Sequence, residues 1–336
     1  MAELLNNYDT GAEHEYIVIG NSRLEGNIKV GEFRNNLLDA IKSILIVRRE
    51  KPSAIIFHSL PPRIYQLFYL FQFPLGVKKY IAVWGGEINH RYDNTLMKRT
   101  KRLIDILFFR RMTGYITALN ADYSKIKDLF GGCGDWINLP AIYPSNIISS
   151  TNFRERVAVK NILIGASNLK RNRHIDVINK IASMPVPDDA IYHFPFSYGG
   201  EEKGYLESVK AVAVEKLNGQ AIFYESFMPF EEYLNFLSKM DAAFFISTAQ
   251  QGLGNINQLI AFGAQIYVEK GSDIDKFYGN LDIILFDWNK VDFEIADREI
   301  LYSNHQKILA HQSLDVCIER MRDFFSGIPG VIIVRT

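Results

Sequence analysis

Short apolar runs alternate with longer amphipathic segments along most of the chain. In the first half the runs are Tyr16–Ile19, Ala54–Phe57, Lys79–Val83, Tyr115–Ala118 and Trp136–Leu139. Each is too short for an independent helix and is bounded by polar or turn-forming residues, so they predict buried strands. Between them, Phe33–Val47, Ile64–Phe73, Thr95–Arg111 and Ala121–Phe130 carry helical spacing. A polar stretch from Tyr143 to Asn161, containing Pro144, Ser145, Ser149, Ser150 and Thr151, then interrupts the series and reads as an interdomain linker. A second series follows, with strands predicted at Ile162–Gly165, Ile191–Phe194, Ala221–Tyr224, Ala242–Ile246, Ala264–Val268 and Asp282–Phe286. Its helices are predicted at His174–Ser183, Tyr205–Leu217, Phe230–Met240 and Ile256–Phe262. Ile308–Phe325 predicts a helical tail, and Gly330–Val334 is a final apolar run. Strands alternating with helices imply parallel pairing and right-handed crossovers. The expected fold class is therefore α/β, with two doubly wound Rossmann-like domains, residues 1–150 and residues 151–336 with the helical tail.

Candidate chemistry concentrates in Asp241–Lys270, where a strand runs into Ser247–Gly254, a segment without a large apolar side chain until Leu253. Asn255 is placed to cap the helix that follows, and Gly263 to end it. In open α/β sheets, ligands sit at the carboxyl ends of the strands. Glycine lets a ligand approach the backbone, and a helix N-terminus favours an anion. The stretch Gly252–Asn255 thus reads as a site for a phosphate-bearing ligand. Glycine turns are common in α/β proteins, so the spacing alone fits a plain strand-to-helix turn equally well. It is neither a phosphate loop ending in Gly-Lys-Ser/Thr nor a GxGxxG dinucleotide fingerprint.

Composition narrows the classes. The 336 residues exceed what a single core usually serves, in keeping with two domains. Thirty-eight basic residues balance thirty-eight acidic ones, so no global field draws the chain to nucleic acid. Two cysteines, Cys133 and Cys317, form neither a disulfide framework nor a CxxC metal pair. No signal peptide opens the chain, and no apolar stretch is long enough to span a bilayer. A cytoplasmic protein, soluble or peripheral on the membrane, is expected.

Several stretches taken together resemble one family. They are His14-Glu15-Tyr16-Ile17, Phe57-His58-Ser59-Leu60, Val83-Trp84-Gly85-Gly86-Glu87, Phe194–Gly199 with Tyr205, and Gln250-Gln251-Gly252-Leu253-Gly254-Asn255. In order and spacing they are similar to glycosyltransferase family 56, of the GT-B superfamily, from about His14 to about Phe286. The resemblance implies two Rossmann-like domains facing a cleft, with no metal and no cofactor. It implies a donor of 4-acetamido-4,6-dideoxygalactose (Fuc4NAc) linked to TDP, and a polyprenyl-linked disaccharide acceptor of enterobacterial common antigen type. It also places the protein on the cytoplasmic face of the inner membrane. Two departures stand out: Glu87 occupies a position where the family carries aspartate, and with only Met1–Glu13 ahead of the HEY segment a first strand is expected to be missing.

On this resemblance the donor falls to the second domain and the acceptor to the first. Gly165, Ser167, Asn168, Tyr198, Gly199, Gln250, Gln251, Gly252, Gly254 and Asn255 are the candidate donor contacts. Gln258 stands five residues before Gly263, where GT-B enzymes often carry a ribose-binding glutamate, and a deoxyribose would suit it. Lys170, Arg171 and Arg173 are either diphosphate partners or a solvated basic turn. Trp84, Gly85 and Gly86 are assigned to the acceptor. Glu87 is the candidate base for the acceptor hydroxyl, with His58 second; each follows a predicted strand at its carboxyl end. A surface carboxylate capping a helix, and a hydrogen-bonded histidine at a strand end, are the structural alternatives. The helical segments Ile64–Phe73 and Leu96–Met112 pair apolar with basic side chains, as a membrane surface or a solvated crossover helix would. A catalytically silent sugar- or nucleotide-binding partner and a GT-B nucleotide-sugar epimerase remain as alternative functions.

Overall fold

The computed structural model describes residues 13–19, 30–72, 76–85, 87–88, 96–139, 143–148, 152–185, 187, 189–199, 204–217, 220–247, 251–328 and 330–335. The chain divides into two compact units, Met1–Pro144 with Cys317–Thr336, and Ser145–Val316.

The first unit is built on a wholly parallel sheet. Its strands are β1 (Glu13–Ile19), β2 (Val30–Phe33), β3 (Ala54–His58), β4 (Lys78–Ala82), β5 (Gly114–Ile116), β6 (Asp135–Ile137) and, from the far end of the chain, β13 (Gly330–Arg335). The spatial order is β2-β1-β13-β3-β4-β5-β6. Four helices follow strands of this unit: α1 (Leu37–Glu50), α2 (Arg63–Gln72), α3 (Leu96–Arg110) and α4 (Asn120–Phe130). They bury one face of the sheet, where Ile17, Ile19, Ile55, Phe57, Ile81, Ile332 and Val334 join Tyr65, Tyr69, Phe108, Phe109 and Phe130 in a single core. The other face carries Tyr16, Val18, Ile56, Tyr80 and Ile333, all buried.

Local chemistry explains some helix ends. Asn36 caps α1 by accepting from the Asp39 amide, and α4 stops where Gly131 turns left-handed at φ 63°. Phe33, expected to open the first helix, belongs instead to β2, because the helix starts only after the Asn36 cap.

The second unit holds a six-stranded parallel sheet of β7 (Asn161–Ile164), β8 (Ile191–Pro195), β9 (Ala221–Tyr224), β10 (Ala242–Phe245), β11 (Gln265–Val268) and β12 (Phe286–Asp287). Their order is β12-β11-β10-β7-β8-β9. Its helices are α5 (His174–Ile181), α6 (Tyr205–Lys216), α7 (Phe230–Ser238), α8 (Leu253–Ala261), α9 (Asp273–Gly279) and α10 (Arg298–Gln312). The strand order reverses between β7 and β10, which makes their carboxyl ends the switch point at which such sheets bind ligands. Asp282–Phe286 shrinks to the two-residue β12, and α9, capped by Ser272, is an addition to the expected pattern.

The tail differs most from expectation. Ile308–Phe325 is not one helix: Ser313 adopts an extended conformation and separates α10 from α11 (Leu314–Phe325). α11 leads into β13, so the last segment joins the first unit's sheet rather than the second domain. Phe324 of α11 meets Tyr80 edge-on and Phe325 meets His14, covering the sheet face opposite α1–α4. β13 takes the central position between β1 and β3.

Two predictions follow from this packing. Ile333 in β13 is fully buried, so Ile333→Ala is expected to cost about 2–4 kcal/mol in a urea unfolding experiment. A cost below about 1 kcal/mol would mean that β13 is not a core strand. The second concerns acid. Burial holds His14 down to about 4, His174 to about 3 and His193 to about 4. Each is neutral in the folded chain and titrates near 6.5 when unfolded, so below 6.5 the unfolded state binds more protons. Stability is therefore complete above pH 6.5 and declines toward pH 4, by about 1.4 kcal/mol per pH unit for each histidine. Unfolding midpoints between pH 7.5 and 4.5 measure the slope, and a flat profile would contradict it.

Candidate functional site

In the second unit, three loops leave neighbouring strands at the switch point and are tied together. After β7, Gly165 turns at φ 70°, and a Cβ there would lie 2.5 Å from His174 Nε2, so only glycine fits. His174 is buried beneath this loop, with Nδ1 2.9 Å from the Tyr205 hydroxyl. Asn172 knits the loop from within, its Nδ2 donating to Ser167 O at 2.7 Å and to Ser167 Oγ at 3.1 Å. The loop after β10 joins through Gln251 Nε2, which donates to Ser167 Oγ at 2.8 Å. The loop after β8 joins through the Asn168 amide, which donates to Tyr198 O at 2.7 Å. Gly199, at φ 120°, lies where a Cβ would press within 3.1 Å of the Asn168 backbone. The Tyr198 side chain stands 78% exposed beside this junction.

Gly165, Ser167, Asn168, Tyr198, Gly199, Gln251 and Gly252 are thus brought to one edge, while Gln250 lies outside the described residues. Asn168 Oδ1 and Gln251 Oε1 are shielded there and accept no hydrogen bond from the described residues. Buried acceptors of this kind call for a donor. Gly252, at φ 69°, caps α8, and the first intrahelical donor is the Ile256 amide, to Gly252 O at 2.9 Å. The amides ahead of it have no intrahelical acceptor, and Gly252 itself lies where a Cβ would come 3.1 Å from Ala166 of the loop after β7.

Three expected donor residues also make structural contacts. Helix α8 begins at Leu253, two residues before the expected Asn255 cap, so Gly254 and Asn255 fall within its first turn. A Cβ on Gly254 would come 2.4 Å from Ser145 O, so this glycine allows close packing against the 145 turn. Asn255 Nδ2 donates to the Tyr233 hydroxyl at 2.9 Å. Gln258 is buried and donates to Ile147 O at 2.6 Å, beside Asn257, which donates to Asn146 O at 2.8 Å. Of the basic turn, Arg173 pairs with Asp176 and with Glu269 at 3.1 Å and lies over the Trp288 ring, while Lys170 and Arg171 are exposed.

In the first unit, the carboxyl ends of β3 and β4 gather a second constellation. Glu87 is only 8% exposed, and its carboxylate accepts from the Ser59 hydroxyl at 2.8 Å and from the Trp84 amide at 3.0 Å. Ser59 is held at φ 94°, a conformation costing a non-glycine residue on the order of 1–3 kcal/mol and concentrated at functional sites. The His58 ring meets Trp84 edge-on at 4.9 Å, and Trp84 meets Tyr143 at 4.6 Å. The Tyr143 hydroxyl lies 2.6 Å from Val83 O and 3.1 Å from Ile116 O, and burial raises its pKa well above the usual value. Glu87, His58, Trp84 and Gly85 therefore lie at one edge, and Gly86 is outside the described residues.

Ser59 and Tyr143 are the members that sequence patterns pass over. A serine after a strand carries no signal of a left-handed backbone, and Tyr143 sits in what reads as a linker. Among the described residues, no cluster of His, Cys, Asp or Glu side chains could hold a metal ion, and no helix is long and apolar enough to cross a membrane.

Residues 134–300 match the family described as 4-alpha-L-fucosyltransferase glycosyl transferase group 56. Among solved structures, HepE of Anabaena in complex with UDP-glucose superposes with a TM-score of 0.63 at 12% identity, covering 93% of this chain and 99% of that one. A glycosyltransferase of Rickettsia africae ESF-5 gives 0.56 at 11% identity, over 90% of this chain and 85% of its own. A UDP-forming trehalose-phosphate synthase of Burkholderia vietnamiensis gives 0.56 at 10% identity, over 86% and 78%. The structural likenesses show the fold, and the family match bears out the resemblance read from the motifs. The chain is a glycosyltransferase of GT-B fold, and its residues 134–300 match glycosyl transferase group 56.

Proposed function

We propose that this enzyme transfers a deoxy- or acetamidosugar from a nucleotide diphosphate to a saccharide carried on a polyprenyl diphosphate, in bacterial surface polysaccharide assembly. The observation that carries the donor half is the junction at Ser167, where the loops after β7, β8 and β10 meet the N-terminus of α8. The amides of that helix suit the diphosphate, and Asn168 Oδ1 and Gln251 Oε1 suit hydroxyl donors of the sugar. UDP-glucose in HepE of Anabaena is a ligand of the same class. The exposed Tyr198 ring is placed to stack on base or sugar. Gln258 Nε2 is engaged with Ile147 O, and the choice of TDP and Fuc4NAc rests on the family resemblance.

For the acceptor half, Glu87 is the base. Ser59 and Trp84 fix the direction of its carboxylate, and each carboxylate oxygen keeps capacity to accept one more hydrogen bond, from the acceptor hydroxyl. As that proton moves to Glu87, the hydroxyl oxygen bonds to the anomeric carbon and the nucleoside diphosphate leaves with the electrons of the broken C–O bond. Trp84, 45% exposed, offers a face to the acceptor sugar. Glu87→Gln keeps the shape and loses the proton affinity, so turnover is expected to fall by roughly 10²–10⁴-fold, with TDP affinity by calorimetry unchanged. Near-normal turnover would remove Glu87 from the mechanism and make His58 the next candidate, and tighter binding of UDP than of TDP would overturn the thymidine assignment. Donor isomerised without acceptor would favour an epimerase, and donor bound but never consumed a silent partner.

The acceptor's lipid calls for a membrane surface. α1, α2 and α3 pack side by side on one sheet face. Their outer sides expose Leu38, Leu45, Phe71, Leu103 and Leu107 among Lys42, Arg99, Arg102 and Arg110. Apolar side chains among basic ones suit an anionic bilayer surface, each cation adding about 1 kcal/mol. The double variant Phe71→Asp, Leu107→Asp is expected to lose most co-sedimentation with phosphatidylglycerol vesicles while keeping its melting temperature. Undiminished binding would sink the assignment of this face.

A further inference from the structure

β13 brings to the acceptor unit a side chain that the proposed mechanism leaves unused. The strand is parallel to both β1 and β3, so its final residue, Arg335, reaches the same sheet edge as His58. In register Arg335 pairs with His58 on one side and Val18 on the other, and His58 pairs onward with Ala82. Paired residues of adjacent strands share a face, about 4.8 Å apart. Ile55 with Ile332, and Phe57 with Val334, lie on the α1–α4 face. Arg335 and His58 are therefore on the opposite one. His58 in turn touches Trp84, next to the turn that holds Glu87.

Arg335 is half-buried as a residue, and its side chain forms no hydrogen bond or ion pair with the described residues. An arginine without a counter-charge at this edge suits an anion, and its planar fork fits two oxygens of one phosphate. From this juxtaposition we infer that Arg335 binds a phosphate of the acceptor's diphosphate, beside the residues that receive the acceptor sugar. The inference rests on the reading of the acceptor as diphosphate-linked. It gives the central strand a second role, since the segment that closes the sheet also supplies its anion site. Lysine would keep the charge at this position but lose the two-pronged contact.

The test is calorimetric titration of the full chain, with TDP at saturation to fill the donor site. The probe is citronellyl diphosphate, a short soluble prenyl diphosphate, with citronellol as the phosphate-free control. The parent is expected to bind the diphosphate and not the alcohol. Arg335→Gln should weaken that binding by about ten- to a hundredfold, the usual worth of a charge-assisted contact, and Arg335→Lys by less. Melting temperature and TDP affinity should not move in either variant. Undiminished binding of the diphosphate by Arg335→Gln would overturn the inference alone. Weakened TDP binding would assign the arginine to the donor phosphates instead and equally overturn it. A parent that binds no prenyl diphosphate would bring down the acceptor class along with it, leaving the donor result of the nucleotide titrations standing.

Discussion

The first unit depends on one strand pairing that links the two ends of the described chain. β1 and β3 are buried on both faces, and without a neighbour between them each would leave a row of amide and carbonyl groups unpaired in the core. β13 satisfies both rows at once, six residues in register with β1 and five with β3. It continues the alternation of the neighbouring strands, sending Ile332 and Val334 under the helices and Ile333 toward α11. The position of the candidate base follows from this. β3 and β4 carry His58 and Glu87 at their ends, and β3 has its height and tilt set by β13.

In the second unit, a buried carboxylate plays the corresponding part. Asp241, just ahead of β10, accepts from the Lys160 and Asn161 amides at the start of β7 and pairs with Arg156 at 3.1 Å. Arg156 in turn holds Ser238 O and Phe262 O, and burial draws its pKa down to about 10, leaving it charged at neutral pH. Removing one member of such a pair costs about 3–5 kcal/mol, because the other is left buried without a partner. The pair sets the amino ends of β7 and β10 side by side. Their carboxyl ends then emerge together, which is what lets Gln251 reach Ser167.

Both candidate sites use backbone that ordinary residues avoid. Gly165, Gly199 and Gly252 supply positive φ where loops cross closely, while Ser59 holds such a conformation without that freedom. Its hydroxyl reaches Glu87 from that strained position, so backbone and carboxylate constrain each other. The rigidity suits a base, whose proton affinity is useful only when aimed.

By itself the sequence determined the order and kind of nearly every element, since burial on a parallel sheet writes itself as short apolar runs between amphipathic ones. It determined also the loops of the candidate donor edge, because Gly165, Gly199 and Gly252 mark turns through their own chemistry. The family resemblance was legible for the same local reason, in motifs such as Gln250–Asn255, within the matched residues 134–300. What only the tertiary structure decided are the partners. The run Gly330–Val334 announces a buried strand, yet nothing local tells it to enter the first sheet rather than the second. Gly254 and Gln258 also meet Ser145 and Ile147, more than a hundred positions earlier, contacts that no local pattern announces. Ser59 and Arg335 give the converse, ordinary residues in sequence that long-range pairing carries to an active edge. Periodicity records how deeply a residue is buried and on which face, and it carries no label for the distant segment that completes the contact.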